Sequence, residues 1–281
     1  MQFSRNLPTM SQSSKHIPFS STHVFSKLIN DYLEGKGTAL DFVQYAPNLE
    51  GYRAAIEGRK KHPINRNLLF DVLTKQYANL PQENAVNNQI ALLKKDNTFV
   101  VTTAHQPNLF TGPLYFFYKI IHSIQLAASL KAAFPECNFV PVYYMGSEDA
   151  DLDELGFVNI GGQKLVWQTK QTGAVGRMLV DAELLSLIKL IEGQIGVSVH
   201  GIAWVNLLKQ SFTIGKTIAQ ATLEIVHHLF GDYGLVVVQP DSPELKSLFT
   251  SVIEKELTTG FSNEAVQKTM QELGAHYKVQ A

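Results

Sequence analysis

The 281-residue sequence holds a single cysteine, Cys137. One cysteine excludes a disulfide framework and any cysteine-based zinc site, and it suits a reducing compartment, so the expected location is the cytoplasm. Neither sign of charge is in excess: 24 Lys+Arg stand against 25 Asp+Glu. Without a long basic run, a nucleic acid held by its phosphates is not an expected partner. Charged residues are scarce at 17% while hydrophobic residues reach 45%, too apolar for an intrinsically disordered chain. Long apolar runs are missing as well. Leu114–Leu130 is interrupted by Lys119, His122 and Gln125, and Phe139–Met145 is only strand-length. A membrane span needs about 20 apolar residues in succession, so no membrane is expected as a partner. The Ser-rich Met1–Thr22 has no apolar core of a secretory signal; its acid-free composition suits a transit peptide, but with only Arg5 and Lys15 as cations it reads as a frayed terminus. There is no G-x-G-x-x-G and no Walker A sequence, so dinucleotide and P-loop binding lack a fingerprint.

The residues that are present divide the chain. Apolar spacing predicts helices over Ser26–Leu33, Tyr52–Lys60, Leu68–Tyr77 and Val86–Lys94. The pattern changes at Thr98–Ala104, a β-branched strand following the turn pair Asp96-Asn97. The turn-rich His105–Gly112 leads to a helix expected to open near Pro113, capped by Thr111 or Gly112. Its apolar stripe is read as Leu114, Phe117, Ile121, Ile124 and Ala128. Phe139–Met145 is a second strand and ends in the acidic loop 146–154. Strand, helix, strand with this crossover makes the two strands parallel.

Further on, Gly161-Gly162 is the turn of a hairpin. Helices are expected over Leu184–Ile191, Trp204–Phe212 and Thr217–Phe230, the last stopped by Gly231. Leu235–Val238 is a third strand, and Pro243 opens a helix with Leu245, Leu248, Phe249 and Ile253 on one face. Tyr277–Val279 begins a further strand with nothing to close it, so the pattern predicts an incomplete sheet. The fold class is α/β with a parallel sheet. Four segments are expected: residues 1–97 as a tail and helical segment, 98–160 as the first half of the core, 161–215 as an inserted connection, and 216–281 as the second, truncated part of the core.

In parallel sheets ligands bind at the carboxyl ends of strands, where the loops 105–112 and 146–154 both lie. The first offers His105, Gln106, Asn108, Thr111 and Gly112 before a helix start, a setting that favours phosphate or another anion. The second packs Glu148, Asp149, Asp151, Asp153 and Glu154 into seven positions. Such carboxylates can bind an ammonium group, bind a divalent cation, or shift one another's pKa values for acid–base work; for Asp151–Glu154 the competing reading is a solvated helix start. Gln239 and Asp241 hold the matching place after the third strand. Lys119 sits within reach of a bound anion, or simply on the wet face of its helix. Arg177 reads as an exposed linker residue rather than a clamp on carboxylate or phosphate. His227-His228 reads as a partly buried pair and Cys137 as packing.

Together these residues resemble a known family. Thr103-Ala-His-Gln-Pro-Asn-Leu-Phe-Thr-Gly-Pro-Leu-Tyr115 with Tyr118-Lys119, then Val140-Pro-Val142 leading to Ser147-Glu-Asp149 and Asp151, are similar to two motifs of the bacillithiol biosynthesis cysteine-adding enzymes. Gly176-Arg-Met178, Phe230–Val237 and Asp31-Tyr32 fall where similar segments occur, so the resemblance runs from about Phe25 onward. It implies a Rossmann-like core with inserted segments, a length about twice this one, and a helical coiled coil used to form a homodimer. It further implies a ligase that acylates the amine of glucosaminyl-malate with cysteine, with ATP or another nucleotide as the candidate activator. The carried-over roles are His105, Glu148 and Asp149 in catalysis, and Gln106, Asn108, Thr111, Gly112, Lys119, Asp151, Gln239 and Asp241 in binding substrate or nucleotide. His105 and the helix start would hold a phosphate or carboxylate. Glu148 and Asp149 would hold an ammonium or sugar hydroxyls. The sequence departs from the family at Ala150, where the similar motif carries a histidine, so either acid–base work falls to His105 or that histidine is dispensable. The competing readings are a non-catalytic binding module and a nucleotidyl- or glycosyl-transferase of similar topology.

Overall fold

The structure, a computed structural model, describes residues 15–279. Arg5 and most of the Ser-rich start lie outside the described residues. In chain order the helices α1 (Lys27–Glu34), α2 (Leu49–Lys60), α3 (Arg66–Tyr77) and α4 (Asn84–Leu92) precede β1 (Thr98–His105), α5 (Tyr115–Ala133) and β2 (Asn138–Met145). Then come the one-turn α6 (Leu152–Leu155), β3 (Phe157–Ile160) and β4 (Gln163–Val166). The rest is α7 (Ala182–Ile195), α8 (Val199–Ser211), α9 (Ile218–Phe230), β5 (Val236–Val238), α10 (Pro243–Ser247), α11 (Thr250–Thr259) and α12 (Phe261–Gly274). No helix among the described residues is long and apolar enough to cross a membrane.

The chain divides into two compact units, Met1–His62 with Lys255–Ala281, and Pro63–Glu254. In the first, Ser26 caps α1 by accepting from the Ile29 N–H. Asp31 on that helix accepts from Lys27 Nζ at 2.5 Å and from the Tyr277 hydroxyl at 3.0 Å. Tyr277–Val279 forms no strand.

The second unit holds a Rossmann-like parallel sheet of order β1-β2-β5. β1 runs beside β2 from Thr98↔Asn138 to His105↔Met145, and β2 beside β5 from Val142↔Val236 to Tyr144↔Val238. The carboxyl ends of all three strands therefore lie side by side. β2 is buried from Phe139 through Tyr143, as a central parallel strand covered on both faces must be. The outer side of β5 is closed by α3. The Tyr77 hydroxyl accepts from the Val237 N–H at 2.7 Å, and the Gln76 amide donates to Val237 O (2.8 Å) and accepts from the Gln239 N–H (3.0 Å).

Two apolar clusters fill this unit. One joins α3, α4, α5 and the sheet, with Leu73, Ile90, Ile120 and Tyr143 among its residues. The other joins Phe110, Trp167, Val175, α7 and α8. α9 belongs to both: Leu223, Val226 and Phe230 face the first, and Ile218, Ala221 and Ile225 the second. A helix apolar on both sides is what an interior position requires. Its start is fixed by a capping box between Thr217 and Gln220.

Several local expectations are corrected. α5 begins at Tyr115, and neither Thr111 nor Gly112 caps it. Its buried stripe is Phe116, Ile120, Ser123, Ala127 and Leu130, one residue away from the expected one, and Leu114 and Ile121 are exposed. The helix is apolar on several faces, so spacing alone did not single out the inner one. α9 ends at Phe230 with Gly231 as its C-cap, as expected; a short 3-10 turn follows, and the left-handed residue is Gly234, φ 74°. The helix expected after Pro243 breaks into α10 and α11, with Leu248, Phe249 and Ile253 exposed. Of the His227-His228 pair, His227 is buried with Nε2 2.8 Å from Pro81 O and His228 is exposed, so the pair is partly buried as expected. The hairpin is present, with Gly161 and Gly162 at φ 55° and 78° as its two-residue turn demands.

Candidate functional site at the strand ends

The two loops meet. The Gly146 N–H and the Tyr143 hydroxyl both donate to His105 O, at 2.9 and 3.0 Å. The Gln106 amide donates to Asp149 Oδ2 at 2.8 Å. That bond, together with backbone N–H groups, holds the Asp149 carboxyl below its ordinary range. His105 lies beside the rings of Tyr115 and Phe116, 5.2 and 5.7 Å between centroids. Burial, and then the Lys119 charge, lower its pKa, so the imidazole is neutral at pH 7. Lys119 itself donates to Ala104 O at 3.2 Å, at the side of β1.

The first loop is strained. Phe110 and Thr111 take φ values of 55° and 80°, a region that costs a non-glycine residue about 1–3 kcal/mol. Burial of Phe110 against Phe212, 5.1 Å between centroids, holds the turn in place. Gly112 is required next: its φ is 65°, and a Cβ there would meet the Asn108 Cβ at 2.7 Å. Three buried polar atoms around these loops have no hydrogen-bond partner: His105 Nε2, Asn108 Oδ1 and Ser147 Oγ. Buried polar groups are normally paired, and three without partners fall together at these neighbouring strand ends.

The second loop's carboxylates diverge. Asp149 turns to Gln106. Asp151 caps α6 by accepting from the Glu154 N–H, which is the plain structural role weighed against a binding one. Glu148 pairs with Lys246 Nζ at 2.6 Å. Among the described residues no three His, Cys, Asp or Glu side chains converge as a metal site would require. Asp241, after β5, pairs with the same Lys246 Nζ at 2.6 Å and with Arg177 through two bonds of 2.5 and 2.6 Å. Those cations, Arg177 first, bring the Asp241 pKa down to about 2. The Gln239 backbone N–H donates to Gln76 and its side-chain amide to Ala219 O (3.4 Å), and Gln239 with Asp241 lines a cleft of about 310 Å³ beside Gln76, Asn79 and Gln220.

The structure thus gathers His105, Gln106, Asn108 and Asp149 on one side and Glu148 and Asp241 on the other, while Asp151 and Gln239 serve local bonds. Arg177, read from the sequence as a linker residue, is half of a bidentate pair. Lys246 carried no signal of its own; its partners are 98 and five residues away in the chain, and only folding brings them together. Arg177 reaches the site because its turn is fastened to the second loop, Val175 N–H to Asp149 O (2.8 Å) and Gly176 N–H to Ser147 O (3.1 Å). Gly176 permits this approach, since a Cβ would meet Ser147 O at 2.4 Å.

Comparison with known proteins agrees with this architecture. Residues 13–281 match the family described as bacillithiol biosynthesis BshC, N-terminal Rossmann-like domain. A protein of Flavobacterium psychrophilum named "Putative cysteine ligase BshC" is 38% identical over 260 residues, covering 92% of this chain and 49% of the relative. Proteins of the same name from Flavobacterium johnsoniae (37% identical; 94% of this chain, 50% of the relative) and Cytophaga hutchinsonii (39%; 87% and 45%) are similar. The chain spans about half the length of these curated relatives. The matched family, the parallel sheet and the joined strand-end loops lead to one conclusion: the chain belongs to the BshC family of bacillithiol biosynthesis, as its N-terminal Rossmann-like domain.

Proposed function

We propose that this chain carries the strand-end site of a cytoplasmic ligase that joins the carboxyl group of cysteine to the amine of glucosaminyl-malate. The observation that carries the reading is the set of orphaned buried atoms, His105 Nε2, Asn108 Oδ1 and Ser147 Oγ, around the Gln106–Asp149 bond. An amide forms when the neutral amine nitrogen attacks an activated carbonyl, the leaving group departs with its electron pair, and the amine gives up a proton. His105 is the residue to take that proton. Its lowered pKa keeps a free lone pair at neutral pH, and Ala150 leaves no second histidine in the acidic loop. Glu148 and Asp149 supply negative charge for the amine or acceptors for sugar hydroxyls. Asn108 and the Thr111–Gly112 turn face the acyl side, with Lys119 as a nearby cation. A free carboxylate needs an activated form, for which ATP or another nucleotide is the candidate source.

The test is mass-spectrometric detection of bacillithiol from cysteine and glucosaminyl-malate, with and without ATP, using the protein at its full encoded length. Product is expected, and its loss in His105→Ala and Glu148→Ala. Near-normal turnover in either variant removes that residue from the mechanism. Binding of glucosaminyl-malate without turnover under any condition would favour a binding module.

A further inference from the structure

Four charged side chains form a closed set at the strand ends. Lys246 Nζ lies 2.6 Å from both Glu148 Oε1 and Asp241 Oδ1, and Arg177 donates to both Asp241 oxygens, sharing Oδ1 with the lysine. Two positive and two negative groups sum to zero. Their mobility differs. Asp241 is only 15% exposed and is held in two places, whereas the Lys246 side chain is 43% exposed and extends from the five-residue α10. A lysine head is a primary ammonium on a flexible stem, able to leave without movement of the backbone. What it would leave is a pair of carboxylates spaced to receive one ammonium group, one of them already fixed by a bidentate arginine. Exchange of one ammonium for another keeps the charge sum at zero. An anion displacing Asp241 would instead strand a carboxylate that is mostly buried, a costly outcome.

We propose that Lys246 is a built-in stand-in for the ammonium group of a primary-amine ligand, which enters between Glu148 and Asp241 as the lysine head swings out, with Arg177 as the positioning residue that holds Asp241. The idea deepens the reading above, since it takes the acylated amine as the physiological occupant, but its test needs no ligation. Lys246 then acts as an internal competitor. It keeps the carboxylates paired when no amine is present and sets a threshold for amines that bring further contacts.

The test is calorimetric titration of the 281-residue chain with D-glucosamine, at a pH where its amine is protonated, and with N-acetyl-D-glucosamine, which has the same ring without the ammonium. Removing the competitor changes the site's charge sum to −1. Lys246→Met and Lys246→Gln are therefore expected to bind glucosamine about five-fold more tightly than the parent, the scale of one exposed ion pair, with no change for the acetylated sugar. Adding Glu148→Gln to Lys246→Met, which restores the charge sum to zero, should abolish the gain. A purely structural lysine predicts the opposite: a lower melting temperature in both variants and no gain in affinity. Unchanged or weaker glucosamine binding in both lysine variants, an equal gain for the acetylated sugar, or no measurable glucosamine binding in any variant overturns the proposal. No gain in either lysine variant, with bacillithiol synthesis intact in the parent, sinks this proposal alone. A selective gain without any ligation sinks the ligase reading alone.

Discussion

The two edges of the three-stranded sheet are finished in different ways. At the β5 edge the chain uses its own side chains as a substitute strand, with the Tyr77 hydroxyl and both ends of the Gln76 amide meeting Val237 and Gln239. At the β1 edge the outward carbonyls met by side chains are those near the ends, Thr98 O by Arg66 (3.1 Å) and Ala104 O by Lys119 (3.2 Å), while Ser123 reaches the inward Val101 O (2.6 Å). Between them, among the described residues, no side chain bonds the outward carbonyls of Val100 and Thr102, and Val100 is 50% exposed. An edge closed by two specific side chains concentrates its stability in them. An open edge has little to lose by substitution and more to lose by exposure.

The comparison can be broken at its strongest point first. Tyr77→Phe removes the acceptor of a buried N–H and is expected to cost about 2 kcal/mol in urea denaturation. A cost near zero would mean that the β5 edge is not held this way. Gln76→Ala deletes two bonds nearer to solvent, and a loss of about 1 kcal/mol is expected from the same measurement. Acid should loosen the closed side at Asp241. This carboxyl titrates near 3.8 unfolded and about 2 folded, so the unfolded state binds the extra proton in between. The stability it contributes is complete above the unfolded value and is lost as pH falls from about 3.8 toward 2. Asp241→Asn should flatten that part of the stability–pH curve. The smallest effect belongs to the open side: Val100→Lys should change stability by no more than about 0.5 kcal/mol while reducing self-association in light scattering.

Much of the strand-end geometry was legible in the sequence because it rests on short-range signals. The β-branched run at Thr98, the turn formers from His105 to Gly112 and the apolar Phe139–Met145 place two loops at one end of the sheet, and the structure joins them through Gln106 and Asp149. What stayed hidden depends on partners remote in the chain. Arg177 and Asp241 are 64 residues apart, and Lys246 serves Glu148 and Asp241 together, so no spacing rule points to them. The buried face of α5 was misjudged because apolar residues occur on more than one side of it; the sheet, not the helix, decides which side is inside. The break between α10 and α11 escaped for a related reason, since an apolar stripe predicts burial only when something packs on it.

The double membership of α9 has a consequence for how the sheet-bearing unit comes apart. Its residues are shared by two apolar clusters, so neither cluster can melt and leave the helix intact. Trp167 reports on one cluster and Tyr143 on the other, and their signals should be lost at a single midpoint. Ile225→Ala, on the wall facing the second cluster, should lower both midpoints together. α9 makes two cores one cooperative transition.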